Sequence, residues 1–236
     1  SSRRRHTRFR NVTGVQTCAL PICHKLTLAH PRELVDLLRA DRVDLALVPV
    51  WEVLTRPGYR ILREFAVGSR GKVRSVAVFH DQPLAACSGI RLTPHSLTSI
   101  QLWKILAAGP LGAPLPENPA GNARLLIGDE ALTEWNRRQE AGVTDLGQTW
   151  TDWTQLPFVY AVWALRPGFA PGSGELDRLR EAWQGGVANR GGLAADDSER
   201  DYLTHCIQYG FGEEEIRGLR EFALRSSLPA PRFTLV

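Results

Sequence analysis

The chain lacks the features that mark membrane, metal-binding and nucleotide-binding proteins. No apolar run approaches the roughly 18 residues of a membrane-spanning helix, so no membrane partner is expected. There is no methionine, no glycine-rich nucleotide loop, no HExxH and no GxSxG. The cysteines lack the paired spacing of a metal site, which favours free thiols in a reducing compartment: Cys18, Cys23, Cys87 and Cys206.

A uniform basic charge is also absent, although the totals suggest one. The formal net charge is +4 and the pI is about 9.1, values that would suggest a nucleic-acid partner. Residues 1–22 hold five arginines and no acid, however, so the remainder carries 24 basic and 25 acidic residues. The excess belongs to one terminal segment, and we predict no nucleic-acid partner.

That segment, residues 1–22, is unlike the start of a folded domain. Its arginines resemble the basic region of a signal peptide, but no apolar stretch of about seven residues follows them. We interpret residues 1–22 as a foreign segment and predict that native sequence begins near Cys23 or His24.

Residues 145–166 predict the organisation of the rest. Trp150 and Trp153 stand at helical spacing, and Leu156-Pro157 ends that pattern before an apolar run over 158–165. A strand that is apolar on both faces suits the middle of a covered sheet in an α/β fold. Only helices are predicted after Arg166, so they should pack back onto an earlier sheet. This path predicts two lobes with a cleft between them. Residues 23–80 and 161–236 would form lobe one, and residues 81–160 would form lobe two.

Shorter patterns predict the other elements. A helix should begin at Pro31, three helical patterns should follow Pro171, and the tail from Pro229 should fray. Five further strands are predicted, at 25–29, 44–50, 71–79, 89–92 and 123–127.

Two carboxylates follow predicted strands, where α/β folds commonly bind ligands. Glu52 comes after the strand ending at Val50, and it is either a cleft carboxylate or a solvated residue that favours a helix start. Asp129 follows Gly128 and is either a helix N-cap or a cleft-facing carboxylate. Both remain candidate catalytic residues.

Hydroxyl side chains gather before the helix that contains Trp103. Ser96, Thr98 and Ser99 stand at its start, next to His95. Helix N-termini attract anions through free N–H groups and the helix dipole. Ser96 or Thr98 should cap the helix, and the same groups are candidates for binding an anionic ligand.

Four motifs together resemble the chorismate dehydratase family of the futalosine route to menaquinone. They are GKVRSV at 71–76, LTPHSLTS at 92–99, LLIGDEAL at 125–132 and DLGQTWTDWTQLPFVYAVWA at 145–164. The last is long and specific, and in order and spacing the four cover residues 25 to about 225.

The resemblance implies a periplasmic-binding-protein type II fold and a cytoplasmic enzyme. It implies that chorismate loses water to give 3-[(1-carboxyvinyl)oxy]benzoate, with no metal or organic cofactor. By position in the motifs, the substrate carboxylates and hydroxyl would be held by Arg74, Ser75, Ser96, Thr98 and Ser99. Glu52 and Asp129 would polarise the leaving group or receive a proton.

One departure from the family concerns the N-terminus. Similar enzymes carry a first strand that ends in an S/E-x-L-N-like loop with a cleft asparagine, and Asn11 cannot be matched to it. We therefore expect about 30 native residues to be missing, with loss of stability and activity, because a lost strand exposes backbone and apolar surface.

Three other functions fit parts of the pattern. A solute-binding protein shares the fold and the cleft, and an export signal would favour it. The paralogous 1,4-dihydroxy-6-naphthoate synthase also shares the fold, but its sequence differs over residues 145–164. A DNA-binding regulator would need a helix-turn-helix before the lobes, and none is found.

Overall fold

The first elements form a helix and two strands around a short second helix. The computed structural model describes residues 27–228 and 233–236. In chain order these elements are helix α1 (Pro31–Arg39), strand β1 (Leu45–Pro49), helix α2 (Val50–Thr55) and strand β2 (Arg60–Ser69). Pro31 starts α1 because a proline there gives up no helical hydrogen bond.

The middle of the chain builds a second sheet with its own helices. Its strands are β3 (Val76–His80), β4 (Ile90–Arg91), β5 (Ala123–Ile127) and β6 (Val143–Asp145). Its helices are α3 (Leu97–Ala108) and α4 (Gly128–Arg138), with a 3₁₀ turn at Leu84–Ala86, and α5 (Leu146–Thr154) follows β6 directly.

The last third is mainly helical and begins with the strand that returns to the first sheet. That strand is β7 (Phe158–Leu165), and it leads to α6 (Ser173–Ala188) and a 3₁₀ turn at Arg190–Leu193. Helix α7 (Asp197–Asp201) continues into a π-helical turn (Tyr202–Cys206), followed by α8 (Glu213–Arg225) and β8 (Thr234–Leu235). Among the described helices, none combines the length and apolar character needed to cross a membrane.

The strands form two four-stranded sheets. The first sheet has the order β1-β7-β2-β8 and the second has the order β4-β5-β3-β6. Strand β7 lies between β1 and β2, antiparallel to both, and six of its eight residues are buried. The predicted central strand over 158–165 is therefore confirmed, and so is the path that leaves one sheet and returns to it.

Aromatic packing fixes the returning segment. The rings of Trp150 and Phe158 lie 5.3 Å apart at 75°, and Phe158 meets Phe222 at 5.0 Å and 78°. Such edge-to-face pairs add about 0.5–1.5 kcal/mol each beyond burial. Trp150 also donates its indole N–H to the Pro157 carbonyl at 3.3 Å. These contacts join α5, β7 and α8 into one core.

The two lobes are connected at residues 70–75 and 155–157. We call the part built on the first sheet lobe one and the part built on the second sheet lobe two. The start of α5 packs against the first connection, where a Cβ on Gly147 would lie 2.8 Å from Ser69 Oγ, Gly71 O and Tyr160 OH. Only glycine fits at Gly147 without displacing these groups.

Several sequence predictions need correction. The strand predicted at 71–79 begins at Val76 and belongs to the second sheet. Residues 27–29 form no strand, while 25–26 and the predicted foreign segment 1–22 lie outside the described residues. Of the three helical patterns predicted after Pro171, the one around Tyr202 is a π-helical turn that continues α7.

The C-terminal end is paired, contrary to the fraying predicted from Pro229. Val236 accepts a hydrogen bond from Arg63 N at 2.7 Å and donates to Ile61 O at 3.0 Å. Residues 229–232 lie outside the described residues. The final residues therefore extend the first sheet beside β2.

Candidate active site

The connection from lobe one to lobe two ends in a tightly held turn at Arg74 and Ser75. Arg74 has a positive φ of 57°, a conformation that non-glycine residues adopt at a cost. The Asp145 carboxylate accepts the backbone N–H of Val73 at 3.1 Å and that of Arg74 at 2.7 Å. It also caps α5 by accepting from Gln148 N at 2.9 Å.

Asp145 is itself almost fully buried. Burial raises the pKa of its carboxyl group above the ordinary value, and the backbone N–H donors of Gln148, Arg74 and Val73 act in the opposite direction. The carboxylate therefore ties the crossing turn and the start of α5 to one point, which sets the position of the two residues that follow Val73.

Ser75 is held from two sides. Its carbonyl accepts Gly128 N at 2.8 Å, because β3 and β5 are antiparallel and pair Val76 with Ile127. Its hydroxyl oxygen accepts a hydrogen bond from the phenol of Tyr202 at 2.9 Å. The serine is 6% exposed, so it offers a small surface at the edge of the second sheet.

The Arg74 guanidinium is buried beside charged and polar groups. Its Nη2 atom lies 2.8 Å from Asp201 Oδ2, within ion-pair range but not aligned for a hydrogen bond. Its Nε atom is buried and has no hydrogen-bond partner among the described residues. A buried donor without a partner is uncommon in folded proteins and is often explained by a ligand or solvent.

Asp129 lies close to this turn. It is exposed in the first turn of α4, and its negative charge contributes to raising the pKa of Tyr202, after burial. Ile127 occupies the N-cap position, so Asp129 does not cap the helix as one interpretation predicted. Arg74, Ser75, Asp129, Asp145 and Tyr202 form what we call the crossing cluster.

The hydroxyl residues at the start of α3 form a second group. Ser96 caps the helix, accepting Ser99 N at 3.1 Å, and the two serine hydroxyls lie 2.9 Å apart. Thr98 Oγ1 accepts the backbone N–H of Trp51, at the start of α2 in lobe one, at 3.2 Å. The predicted cap at Ser96 is confirmed, and this group, the helix-start cluster, contacts the opposite lobe.

Both groups lie at the same edge of the second sheet. Strands β4 and β5 are parallel, so α3, which follows β4, and α4, which follows β5, start at the same edge. Ser75 joins that edge because β3 is antiparallel to β5. The topology therefore brings together six predicted residues: Arg74, Ser75, Ser96, Thr98, Ser99 and Asp129.

Glu52 has a different environment. Its carboxylate accepts Arg39 Nε at 2.9 Å, Arg39 Nη2 at 2.5 Å and Tyr59 OH at 2.9 Å. The residue is 6% exposed, so the solvated carboxylate considered above is not what the structure contains. Burial, followed by the hydrogen bond to Glu52, raises the pKa of Tyr59 to about 12, and the bond to Glu52 raises that of Arg39. Glu52 is committed to partners inside lobe one.

The sequence analysis missed Asp145 and Tyr202 as parts of the site. Asp145 carried a weak signal, since it precedes a helix and is an N-cap residue type. Tyr202 carried none, because a buried aromatic residue at helical spacing is typical of a core. Within the described residues, no group of three or more His, Cys, Asp or Glu side chains could hold a metal ion.

Comparison with known proteins identifies the family. A family model described as menaquinone biosynthesis matches residues 17–227. The chain belongs to this family. The chorismate dehydratase of Thermus thermophilus is 32% identical over an alignment of 238 positions that spans 87% of this chain and 88% of the relative.

Solved structures support the fold of this family member. A protein of Archaeoglobus fulgidus matches with a TM-score of 0.64 and 16% identity, covering 86% of this chain and 85% of its own. A Candida albicans protein described as having the generic periplasmic binding protein fold matches at a TM-score of 0.56 and 9% identity, covering 86% and 79%. The predicted two-lobed periplasmic-binding-protein fold is confirmed.

Proposed function

We propose that this chain is a chorismate dehydratase acting in menaquinone biosynthesis. The observation that carries the proposal is the 32% identity to the Thermus thermophilus enzyme over most of both chains. The fold adds a sheet edge that carries a buried arginine, several hydroxyl groups and two helix starts. A small dianion fits such an edge.

The proposed reaction removes water from the ring of chorismate. A ring C–H bond breaks, its electron pair becomes a new ring double bond, and the neighbouring C–O bond breaks so that hydroxide leaves. The departing oxygen takes up a proton to become water, and the ring becomes the aromatic ring of 3-[(1-carboxyvinyl)oxy]benzoate. Aromaticity supplies the driving force, so the enzyme has to orient the dianion and assist proton transfer.

The crossing cluster is proposed to bind one substrate carboxylate. Arg74 Nε is a buried donor without a partner among the described residues, and a carboxylate oxygen would satisfy it. The Ser75 hydroxyl accepts from Tyr202 and keeps its own proton to donate. The positive end of the α4 helix dipole also favours an anion here.

The helix-start cluster is proposed to bind the second carboxylate or the ring hydroxyl. Of the two O–H groups of Ser96 and Ser99, one serves the bond between them and the other can donate elsewhere. Thr98 accepts from Trp51 N and keeps its hydroxyl proton. At least two O–H donors therefore remain at this helix start for an anion.

Asp129 is proposed as the proton acceptor in preference to Glu52. It is exposed and adjoins the crossing cluster. Both oxygens of the Glu52 carboxylate accept buried hydrogen bonds from Arg39 or Tyr59, which suits a structural ion pair better than a base. We further propose that the reaction uses no cofactor, occurs in the cytoplasm and belongs to the futalosine route.

Incubation of the full-length protein with chorismate tests this proposal. Diene absorbance should fall while 3-[(1-carboxyvinyl)oxy]benzoate accumulates, as followed by mass spectrometry. The S75A variant, which removes one proposed donor, should raise KM, and R70A, altering an exposed arginine paired with Glu214, should not. Binding of chorismate without turnover would contradict the proposal and favour the solute-binding alternative.

A further inference from the structure

The phenol of Tyr202 lies where it controls the Ser75 hydroxyl. Tyr202 is 2% exposed and belongs to the π-helical turn that continues α7 in lobe one. Its hydroxyl donates to Ser75 Oγ at 2.9 Å across 127 residues of sequence. Among the described residues, Ser75 Oγ has no other hydrogen-bond partner.

The direction of this hydrogen bond leaves one proton unused. A serine hydroxyl has one O–H donor and two acceptor positions, and Tyr202 occupies one acceptor position. Burial raises the pKa of Tyr202 well above its ordinary value, so the phenol keeps its proton and remains the donor. The Ser75 proton is then available to a ligand at the edge of the second sheet.

Two consecutive residues of lobe one meet two consecutive residues of the crossing turn. The Asp201 carboxylate pairs with the Arg74 guanidinium at 2.8 Å, and Tyr202 donates to Ser75. The π-helical turn starts at Tyr202, where α7 ends. Single π turns inside helices often occur at functional sites. The turn therefore presents an acid and a phenol together to the two predicted substrate-binding residues.

We propose that Tyr202 is a positioning residue for substrate binding, orienting the Ser75 hydroxyl so that its proton points at a carboxylate of chorismate. The inference rests on the proposed function. It assigns to the C-terminal helices a part in the active site, and Tyr202 acts through Ser75 without itself touching the substrate.

A double-mutant cycle tests this role. Y202F keeps the ring packing and removes the donor, so KM for chorismate should rise about 5- to 10-fold while kcat stays within about twofold, as for a lost binding interaction. In an S75A background, Y202F should add no further change in KM. In S75T, which keeps a hydroxyl, Y202F should again raise KM.

Y209F is the matched control. Tyr209 is also buried, at 5% exposure, but its hydroxyl has no hydrogen-bond partner among the described residues. Its replacement should leave KM unchanged. Thermal unfolding shows whether each variant is folded, and calorimetry measures its affinity for the product 3-[(1-carboxyvinyl)oxy]benzoate. Together they separate loss of binding from loss of folding. The affinity of folded Y202F for the product should fall by the same factor as its KM for chorismate rises.

The outcomes are distinguishable. If the wild-type protein turns over chorismate, either of two results overturns the role of Tyr202 and leaves the dehydratase proposal standing. One is an unchanged KM in Y202F. The other is that Y202F raises KM as much in the S75A background as in the wild-type background. Absence of turnover by the full-length wild-type protein overturns both that role and the dehydratase proposal. An increase in KM caused by Y202F only when residue 75 carries a hydroxyl group supports the inference.

Discussion

Two carboxylates, Glu52 and Asp129, follow strands in the sequence but have different environments in the fold. E52Q should lower the free energy of unfolding by about 1–2 kcal/mol, because it weakens a pair with Arg39. The Arg39 side chain is 38% exposed, which keeps the loss below that of a fully buried pair. The turnover number should fall by a few fold at most. Urea unfolding checks the change in the free energy of unfolding, and steady-state kinetics on the same preparations checks the change in turnover number.

D129N should behave in the opposite way. A missing general base typically costs a factor of about 10² to 10⁴ in rate, while the isosteric amide keeps the size and shape of the side chain. The turnover of D129N should therefore collapse while the protein remains folded. A large loss of turnover in a stably folded E52Q, with D129N fully active, would reverse the assignment.

Arg74 provides a second contrast, against Arg70 on the same connection. R74A should raise KM for chorismate about 10- to 100-fold, since a hydrogen bond to a charged group contributes more than a neutral one. The KM of R74A should also depend less on ionic strength. R70A should change neither quantity, because Arg70 pairs with Glu214 in an exposed ion pair. Similar KM values for the two variants would remove Arg74 from the site.

At the scale of elements, a carboxylate anchors α4 to its sheet. Glu134 accepts Arg124 Nη2 of β5 at 2.8 Å and also pairs with Arg137 and Arg138. The hydrogen bond from Arg137 is the largest cause that lowers the Glu134 pKa from 4.5 to about 2. A lowered pKa stabilises the fold above pH 4.5, and the contribution is lost as the pH falls from 4.5 towards 2.

E134Q should therefore lose stability at neutral pH and much less at low pH. The pKa change corresponds to about 3 kcal/mol at most, and we expect about 1–2 kcal/mol because Arg137 is largely exposed and screened. The difference in unfolding free energy between wild type and E134Q should shrink between pH 4.5 and 2. E130Q, an exposed change on the same helix, serves as the control. A difference that stays constant with pH would contradict the assignment.

The elements that sequence predicts and those it misses differ for physical reasons. Strand β7 is an unbroken run of apolar and aromatic residues and β5 is apolar except for Arg124, so their patterns are clear. Strand β2 was missed because Arg63 and Glu64 are exposed in its middle, where Glu64 has a φ of 84° and the register shifts between Ile61 and Ala66. A bulge of this kind interrupts the alternation by which a strand is recognised.

In the candidate site, too, local sequence patterns indicate some residues and not others. Asp129 was a candidate because it follows a predicted strand, where ligands commonly bind, and Arg74 and Ser75 were candidates by their position in the GKVRSV motif. The partners of these residues could not be predicted, since Tyr202 is separated from Ser75 by 127 residues and carries no local signal. The environment of Glu52 could not be predicted, because its partner Arg39, 13 residues earlier, becomes visible only when α1 packs on β1.

At the scale of the whole molecule, the two lobes meet across the proposed site. Trp51 N of lobe one donates to Thr98 of lobe two, and the rings of His30 and His95 lie 5.2 Å apart. The connections between the lobes include residues with positive φ, at Gly71, Arg74 and Gln155. Each cluster is also bonded to lobe one, Ser75 to Tyr202 and Thr98 to Trp51, so a substrate whose two carboxylates contact both clusters should stabilise the closed arrangement of the lobes.

The product, which also has two carboxylates, allows closure to be measured without turnover. At a concentration of about 100 times its Kd it should raise the free energy of unfolding by about 2.7 kcal/mol. The radius of gyration from small-angle scattering should decrease at the same time. Benzoate, with one carboxylate, can occupy only one of the two clusters, so at equal saturation it should stabilise the fold without that decrease. If benzoate compacts the protein as much as the product does, closure does not depend on a ligand that joins the two clusters, and the proposed division of the carboxylates between them is wrong.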